Sequence, residues 1–153
     1  GIKNYMVEIG GEIRLRGYNP KGKLWHIGIN TPVDDPTCTN NEIQQVLAAT
    51  HISMATSGNY RNFYEKDGKK YAHTIDPRTG QPVQHNILSS TVLTQDCATA
   101  DAYATAFMVL GLDEAKRVLS QHKELMAYFI YSDANGNMAV WYTDSMRQLL
   151  AEE

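Results

Sequence analysis

The chain has 153 residues, enough for one domain with its own core. A hydrophobic content of 42% against 20% charged residues excludes a disordered chain, and a net charge of −3 gives no general attraction to nucleic acid or to an anionic membrane. No apolar run approaches the ~20 residues that cross a bilayer. The two cysteines, Cys38 and Cys97, make no disulfide framework, and without Cys-x-x-Cys or His-x-x-x-His they suggest no zinc site. Cys97, among alanines at a helix start, is expected to be a small buried side chain. No stretch of the chain reads as a signal peptide, and its compartment is not legible from its start. Its start, Gly1-Ile2-Lys3, with no methionine and little lead-in to the first strand, carries the expectation of a segment of a longer protein.

The first third reads as strands. Tyr5 to Ile9 is apolar-rich, and Glu12 to Gly17 alternates polar and apolar with period two. The Gly10-Gly11 pair between them suggests a bulge or a close backbone approach. After the turn Asn19-Pro20-Lys21-Gly22, Trp25 to Ile29 alternates again, and Thr31 to Asn41 is a Pro/Asp/Thr/Asn loop. Glu42 to Ala55 has some helical spacing at Ile43, Val46 and Leu47. Its β-branched and apolar residues persist through Ile52, which favours a short strand, a turn near Thr50-His51 and a second strand running into Met54 to Gly58. Tyr60 to Tyr71 reads as a hairpin around Lys66 to Lys69, its aromatics Tyr60, Phe63, Tyr64 and Tyr71 packing across the strands.

A strand is predicted at Ser89 to Thr94. Asp96 then caps a helix, Ala98 to Leu110, that ends at Gly111. A second helix runs from Asp113 to about Lys123. Met126 to Tyr131 and Met138 to Tyr142 pair through the turn Asp133 to Asn137, whose Asn135-Gly136 is a strong hairpin signal. Asp144 to Ala151 reads as a short terminal helix. The pattern gives one α+β domain, a mostly antiparallel sheet with two packed helices.

Two stretches could carry chemistry. His73-Thr74-Ile75-Asp76-Pro77-Arg78-Thr79-Gly80 gathers an imidazole, a carboxylate, a guanidinium and hydroxyls just after a strand-like run. Asp-Pro stops regular structure there and Gly80 allows a tight exit. The stretch suits a site displayed on a rigid loop, and it equally suits a polar hairpin turn with one incidental histidine. His73 can accept a proton near neutral pH. His26, His51, His85 and His122 sit in a strand, in turns and after a helix, and are less suggestive. On the Ala-rich helix, Asp101 and Thr105 are four apart and share one face. They could offer hard oxygens to a cation such as Mg²⁺ without completing its six-oxygen shell, or could form an exposed polar stripe. Thr56-Ser57-Gly58-Asn59-Tyr60 could hydrogen-bond a phosphate or be an ordinary turn.

Four strings in order resemble the ApbE family of FAD:protein FMN transferases: Val7-Glu8-Ile9-Gly10-Gly11-Glu12-Ile13, Ala55-Thr56-Ser57-Gly58-Asn59-Tyr60-Arg61, His73 through Gly80, and Ala100-Asp101-Ala102-Tyr103-Ala104-Thr105-Ala106. The resemblance runs across nearly the whole chain and implies the C-terminal portion of an ApbE-like, T-fold-related domain over 1–153, with the N-terminal part missing. It implies Mg²⁺-dependent transfer of FMN from FAD to a threonine hydroxyl of a target protein. Asp101 and Thr105 would then be metal ligands, His73 the base or the group that orients the attacking threonine, and Ile75 a flavin-nucleotide contact through its backbone. Asp76-Pro77 and Thr79-Gly80 would fix the loop that aims His73. A metal-dependent FAD pyrophosphatase giving FMN and AMP, or a non-catalytic flavin-binding module, stands as the alternative.

Thr74 replaces the family's usual aliphatic residue after the histidine, and both types are commonly β-branched and suit a strand. The family's upstream Gly-rich Asp-Leu-Gly-Gly segment, with a further metal ligand and a lysine at the nucleotide, is not in this chain. The resemblance implies that activity calls for that portion. It also implies a parent protein in the periplasm, held at the inner membrane by a lipidated cysteine.

Overall fold

The computed structural model describes residues 1–32, 42–58, 63–66, 69–72, 74–83 and 85–151, apart from the side chains of 63–66 and 69–72. Most of the expected 31–41 loop, Cys38, Asn59 to Arg61 at the end of the Ala55–Arg61 string, the aromatic packing expected of Tyr60, Phe63, Tyr64 and Tyr71, and His73 lie outside what is described. The fold is α+β, and the strands of the described residues pair antiparallel throughout. A six-stranded sheet runs in the order β1 (Tyr5–Ile9), β2 (Glu12–Arg16), β5 (Ser53–Gly58), β10 (Ile87–Thr94), β11 (Met126–Ser132), β12 (Met138–Tyr142). A separate ribbon joins β3 (Trp25–Asn30) to β4 (Ile43–Ala49). Two small hairpins, β6–β7 (Phe63–Lys66, Lys69–Ala72) and β8–β9 (Ile75–Asp76, Gln81–Pro82), complete the strands.

Alternation along the central strands divides the core in two. Ala55, Val92, Ala127 and Phe129 face α1 (Cys97–Leu110) and α2 (Leu112–Gln121). Met54, Leu93, Tyr128 and Ile130 pack with Ile27, Ile29 and Leu47 of the ribbon and with Met146 of α3 (Asp144–Arg147). The register bears this out, since Ala55 pairs with Val92 and Met54 with Leu93. Helix α1 begins where the Asp96 carboxylate accepts the Thr99 N–H at 2.8 Å. It ends at Gly111, whose φ of 79° suits glycine and where an added Cβ would lie 2.8 Å from the His85 ring.

Three expectations change and one turn is found as expected. Gly10 and Gly11, with φ of 68° and 105°, form a two-residue hairpin turn rather than a bulge, since Ile9 pairs directly with Glu12. The expected turn from Asp133 to Asn137 joins β11 to β12: Asp133 N–H bonds Asn137 O, and the Asp133 carboxylate accepts from Asn135 and Asn137. The terminal helix stops at Arg147, because Leu149 to Ala151 extend along β4: Ala48 N–H donates to Leu149 O, Ala151 N–H donates to Val46 O, and Leu150 bridges Leu47. Cys97 is half-buried rather than buried, its Sγ reaching Ile13 O at 3.5 Å.

Phe107 is fully buried, edge-on to Phe129 at 5.5 Å, and joins α1 to the sheet. Phe107→Ala is expected to cost about 3–5 kcal/mol, read as a lower urea midpoint with unchanged slope.

Candidate functional site

The sheet splits where β2 leaves β5. Their register runs only through Arg14↔Ser53 and Ile13↔Met54, while β5 stays paired with β10 along its whole length to Gly58. The C-terminal half of β5 therefore borders a cavity of about 650 Å³ between the β1–β2 turn, β3, β5 and α1. That volume is in the range of a small-molecule site.

Asp101 and Thr105 both line this cavity, so the shared helix face expected from their spacing faces open space. Ala100 and Ala104, one position before each, are fully buried against the sheet. With no side chain beyond Cβ, they let α1 lie close to β5. The Thr105 hydroxyl lies 2.8 Å from the Ser57 hydroxyl, joining helix and strand at the cavity wall. Ser57 pairs with Ser90 across the ladder, which fixes its backbone. Glu8 and Glu12 also line the wall, and so does β3 from His26 to Asn30. Among the described lining residues there are three carboxylates and no lysine or arginine.

From Ile75 to Gly80 the motif supplies β8 and the turn of the β8–β9 hairpin. Arg78 grips the Asp76 carboxylate with its backbone N–H at 2.9 Å and its guanidinium at 2.8–3.2 Å. Thr79 and Gly80 N–H both donate to Asp76 O, and Val83 N–H donates to Thr74 O. The turn geometry and the site reading meet here: the stretch is a polar hairpin, and its first described residue, Thr74, lines the cavity. His73 itself lies outside the described residues. Ile75 pairs with Pro82, and its side chain, 47% exposed, is not among the cavity-lining residues.

The hydrogen bonds from Arg78 hold the Asp76 carboxyl down at about 2, with the guanidinium charge adding to them. Glu114 at the start of α2 adds to the preference of Arg78 for its charged form, after Asp76. The folded value lies below the ordinary 3.8, so ionised Asp76 stabilises the hairpin above pH 3.8 and that contribution is lost as pH falls toward 2.

Sequence reasoning brought Asp101 and Thr105 to the site and left Ser57 as one member of an undecided string. It set His26 aside, yet that residue lines the cavity. Alternation exposes His26 and Gly28 and buries Ile27 and Ile29, but the whole run from His26 to Asn30 borders the cavity, so period two alone does not single His26 out. Among the described residues no group of three or more His, Cys, Asp or Glu side chains is placed to hold a metal ion. The pair of hard oxygens on Asp101 and Thr105, facing a cavity walled by carboxylates, nevertheless suits part of the shell of a hard divalent cation.

The ApbE family model matches residues 1–129. An FAD:protein FMN transferase of Vibrio cholerae is 42% identical over 133 residues, 87% of this chain and 39% of its own length. Its counterpart in Escherichia coli K12 is 37% identical over 153 residues, the whole of this chain and 42% of its own length. Among solved structures, the flavin transferase ApbE of Vibrio cholerae superposes with a TM-score of 0.80 at 37% identity, covering 97% of this chain and 45% of that one. The apo flavinyl transferase ApbE of Pseudomonas stutzeri superposes with a TM-score of 0.79 at 31% identity, covering 100% and 45%. The chain thus spans about two fifths of the length of these curated relatives.

A ¹³C titration of the Asp76 carboxyl is expected to give a midpoint near 2. In Arg78→Ala it is expected to return toward 3.8, since the largest cause of the lowering is removed.

Proposed function

The chain belongs to the ApbE family, and from that membership we propose that its protein transfers FMN from FAD to a threonine hydroxyl of a target protein, with Mg²⁺. The observation that carries the reading is the charge of the cavity. Asp101, Glu8 and Glu12 line it with no cationic side chain among the described lining residues, so a pyrophosphate drawn in alone would meet like charge. Asp101 and Thr105 supply two oxygens that a bridging cation would use, and the rest of its shell comes from phosphate, water or other parts of the protein. Mg²⁺, when bound, draws the phosphate oxygens together and offsets the charge that builds on them.

The chain's own residues do the remaining work. Close packing of α1 on the sheet holds Asp101 and Thr105 at fixed positions on the wall. The Asp76–Arg78 clasp stiffens the hairpin that follows His73. His73 takes the proton from the acceptor threonine as its oxygen bonds to the FMN phosphorus. The bond from that phosphorus to the bridging oxygen breaks, and AMP leaves with its electron pair. Ile75 contacts the nucleotide through its backbone. By the same family resemblance we place the protein, lipid-anchored, at the periplasmic face of the inner membrane.

The test uses the intact gene product with FAD, Mg²⁺ and an acceptor protein, followed by intact-mass measurement. The expected result is a covalent FMN adduct on a threonine. Asp101→Ala is expected to lower its rate more than about 100-fold while leaving the fold intact, since alanine suits an exposed helix position. His73→Ala is expected to lower it by about 100- to 10,000-fold. Free FMN and AMP without an adduct would instead identify a pyrophosphatase, and intact FAD a binding module.

A further inference from the structure

We propose that Ser57 is the positioning residue for Thr105: it holds the threonine hydroxyl oxygen toward the cavity so that this oxygen can ligate the cation. The inference rests on the metal reading given under the proposed function and adds a residue to it.

A threonine within a helix divides between rotamers, because its Oγ1 can turn back to hydrogen-bond the carbonyl one turn earlier. For Thr105 that carbonyl belongs to Asp101. In the turned-back rotamer the hydroxyl is spent on the helix. The contact with Ser57 Oγ at 2.8 Å competes with that use of the hydroxyl and draws Oγ1 toward β5. It also answers the question of the proton. A hydroxyl that gives a lone pair to a cation becomes a stronger donor and needs an acceptor that is not itself the cation's ligand. Either hydroxyl of the pair can donate, so Ser57 Oγ can take that proton when its own is turned elsewhere.

The placement is rigid on both sides. Ser57 lies in β5, in register with Ser90 of β10, on the sheet face that carries Ala55 and Val92. Thr105 follows the buried Ala104 on α1. Neither partner rides on a loop, so the hydroxyl pair is preorganised by packing. Ser57 and Thr105 are 48 residues apart in sequence, and the contact exists only because the helix folds back across the strand.

The experiment is direct titration of Mn²⁺ into the intact gene product, by electron paramagnetic resonance of the free ion, for wild type, Ser57→Ala, Ser57→Thr and Asp101→Ala. The expected result is a dissociation constant about 10-fold weaker for Ser57→Ala, the lower end of what loss of a ligand's outer partner costs. Ser57→Thr, which keeps the hydroxyl, is expected within about twofold of wild type. In turnover, Ser57→Ala is expected to raise the Mg²⁺ concentration for half-maximal rate by a similar factor, with near-normal rate at saturating metal. A purely structural role would lower the melting temperature and leave Mn²⁺ affinity alone. Wild-type Mn²⁺ affinity in Ser57→Ala, together with lost binding in Asp101→Ala, overturns the role of Ser57 while sparing the metal reading. Undiminished Mn²⁺ binding in Asp101→Ala overturns both.

Discussion

Ala55, Ala100, Ala104 and Ala127 set the distance between α1 and the sheet, and all four are buried within one cluster. A larger side chain at Ala100 or Ala104 would push the helix outward, because packed interiors have no spare volume. With the helix close, Thr105 reaches Ser57 at hydrogen-bond distance and Asp101 stands one turn away on the same wall. The second requirement is the early parting of β2 from β5, which leaves space beside this wall. Close packing on one side of β5 and separation on its other edge together produce the cavity.

Much of this was legible in the sequence because it is local. Period-two alternation marked Glu12 to Gly17 and Trp25 to Ile29, where the strands run Glu12–Arg16 and Trp25–Asn30, and Asp96 with Gly111 bracketed α1. The four-residue spacing of Asp101 and Thr105 is enough by itself to put them on one helix face. What was not legible depends on partners distant in the chain. The terminal segment has a helical pattern, but Leu150 bridges Leu47, and pairing along β4 wins over local propensity. Ser57 had no distinguishing neighbour in sequence, and its meaning comes from Thr105. The parting of β2 from β5 has no local signature at all.

The eight-residue stretch from His73 to Gly80 shows how a turn and a site can be one object. Asp76 is occupied by Arg78 and by the hairpin backbone, so its carboxylate serves the loop and is not offered to a ligand. That division separates two kinds of carboxylate in the chain. Asp76 is neutralised internally by a guanidinium. Asp101, Glu8 and Glu12 line the cavity with no cationic side chain among its described lining residues, and that unbalanced charge is what the proposed cation would offset.

The most direct test of this account is a crystal structure of the intact gene product with FAD and Mn²⁺, read from an anomalous difference map. The account predicts an anomalous peak within ligand distance of both the Asp101 carboxylate and the Thr105 hydroxyl, with the FAD pyrophosphate beside it. A peak elsewhere, or a pyrophosphate bound outside this cavity, would contradict it.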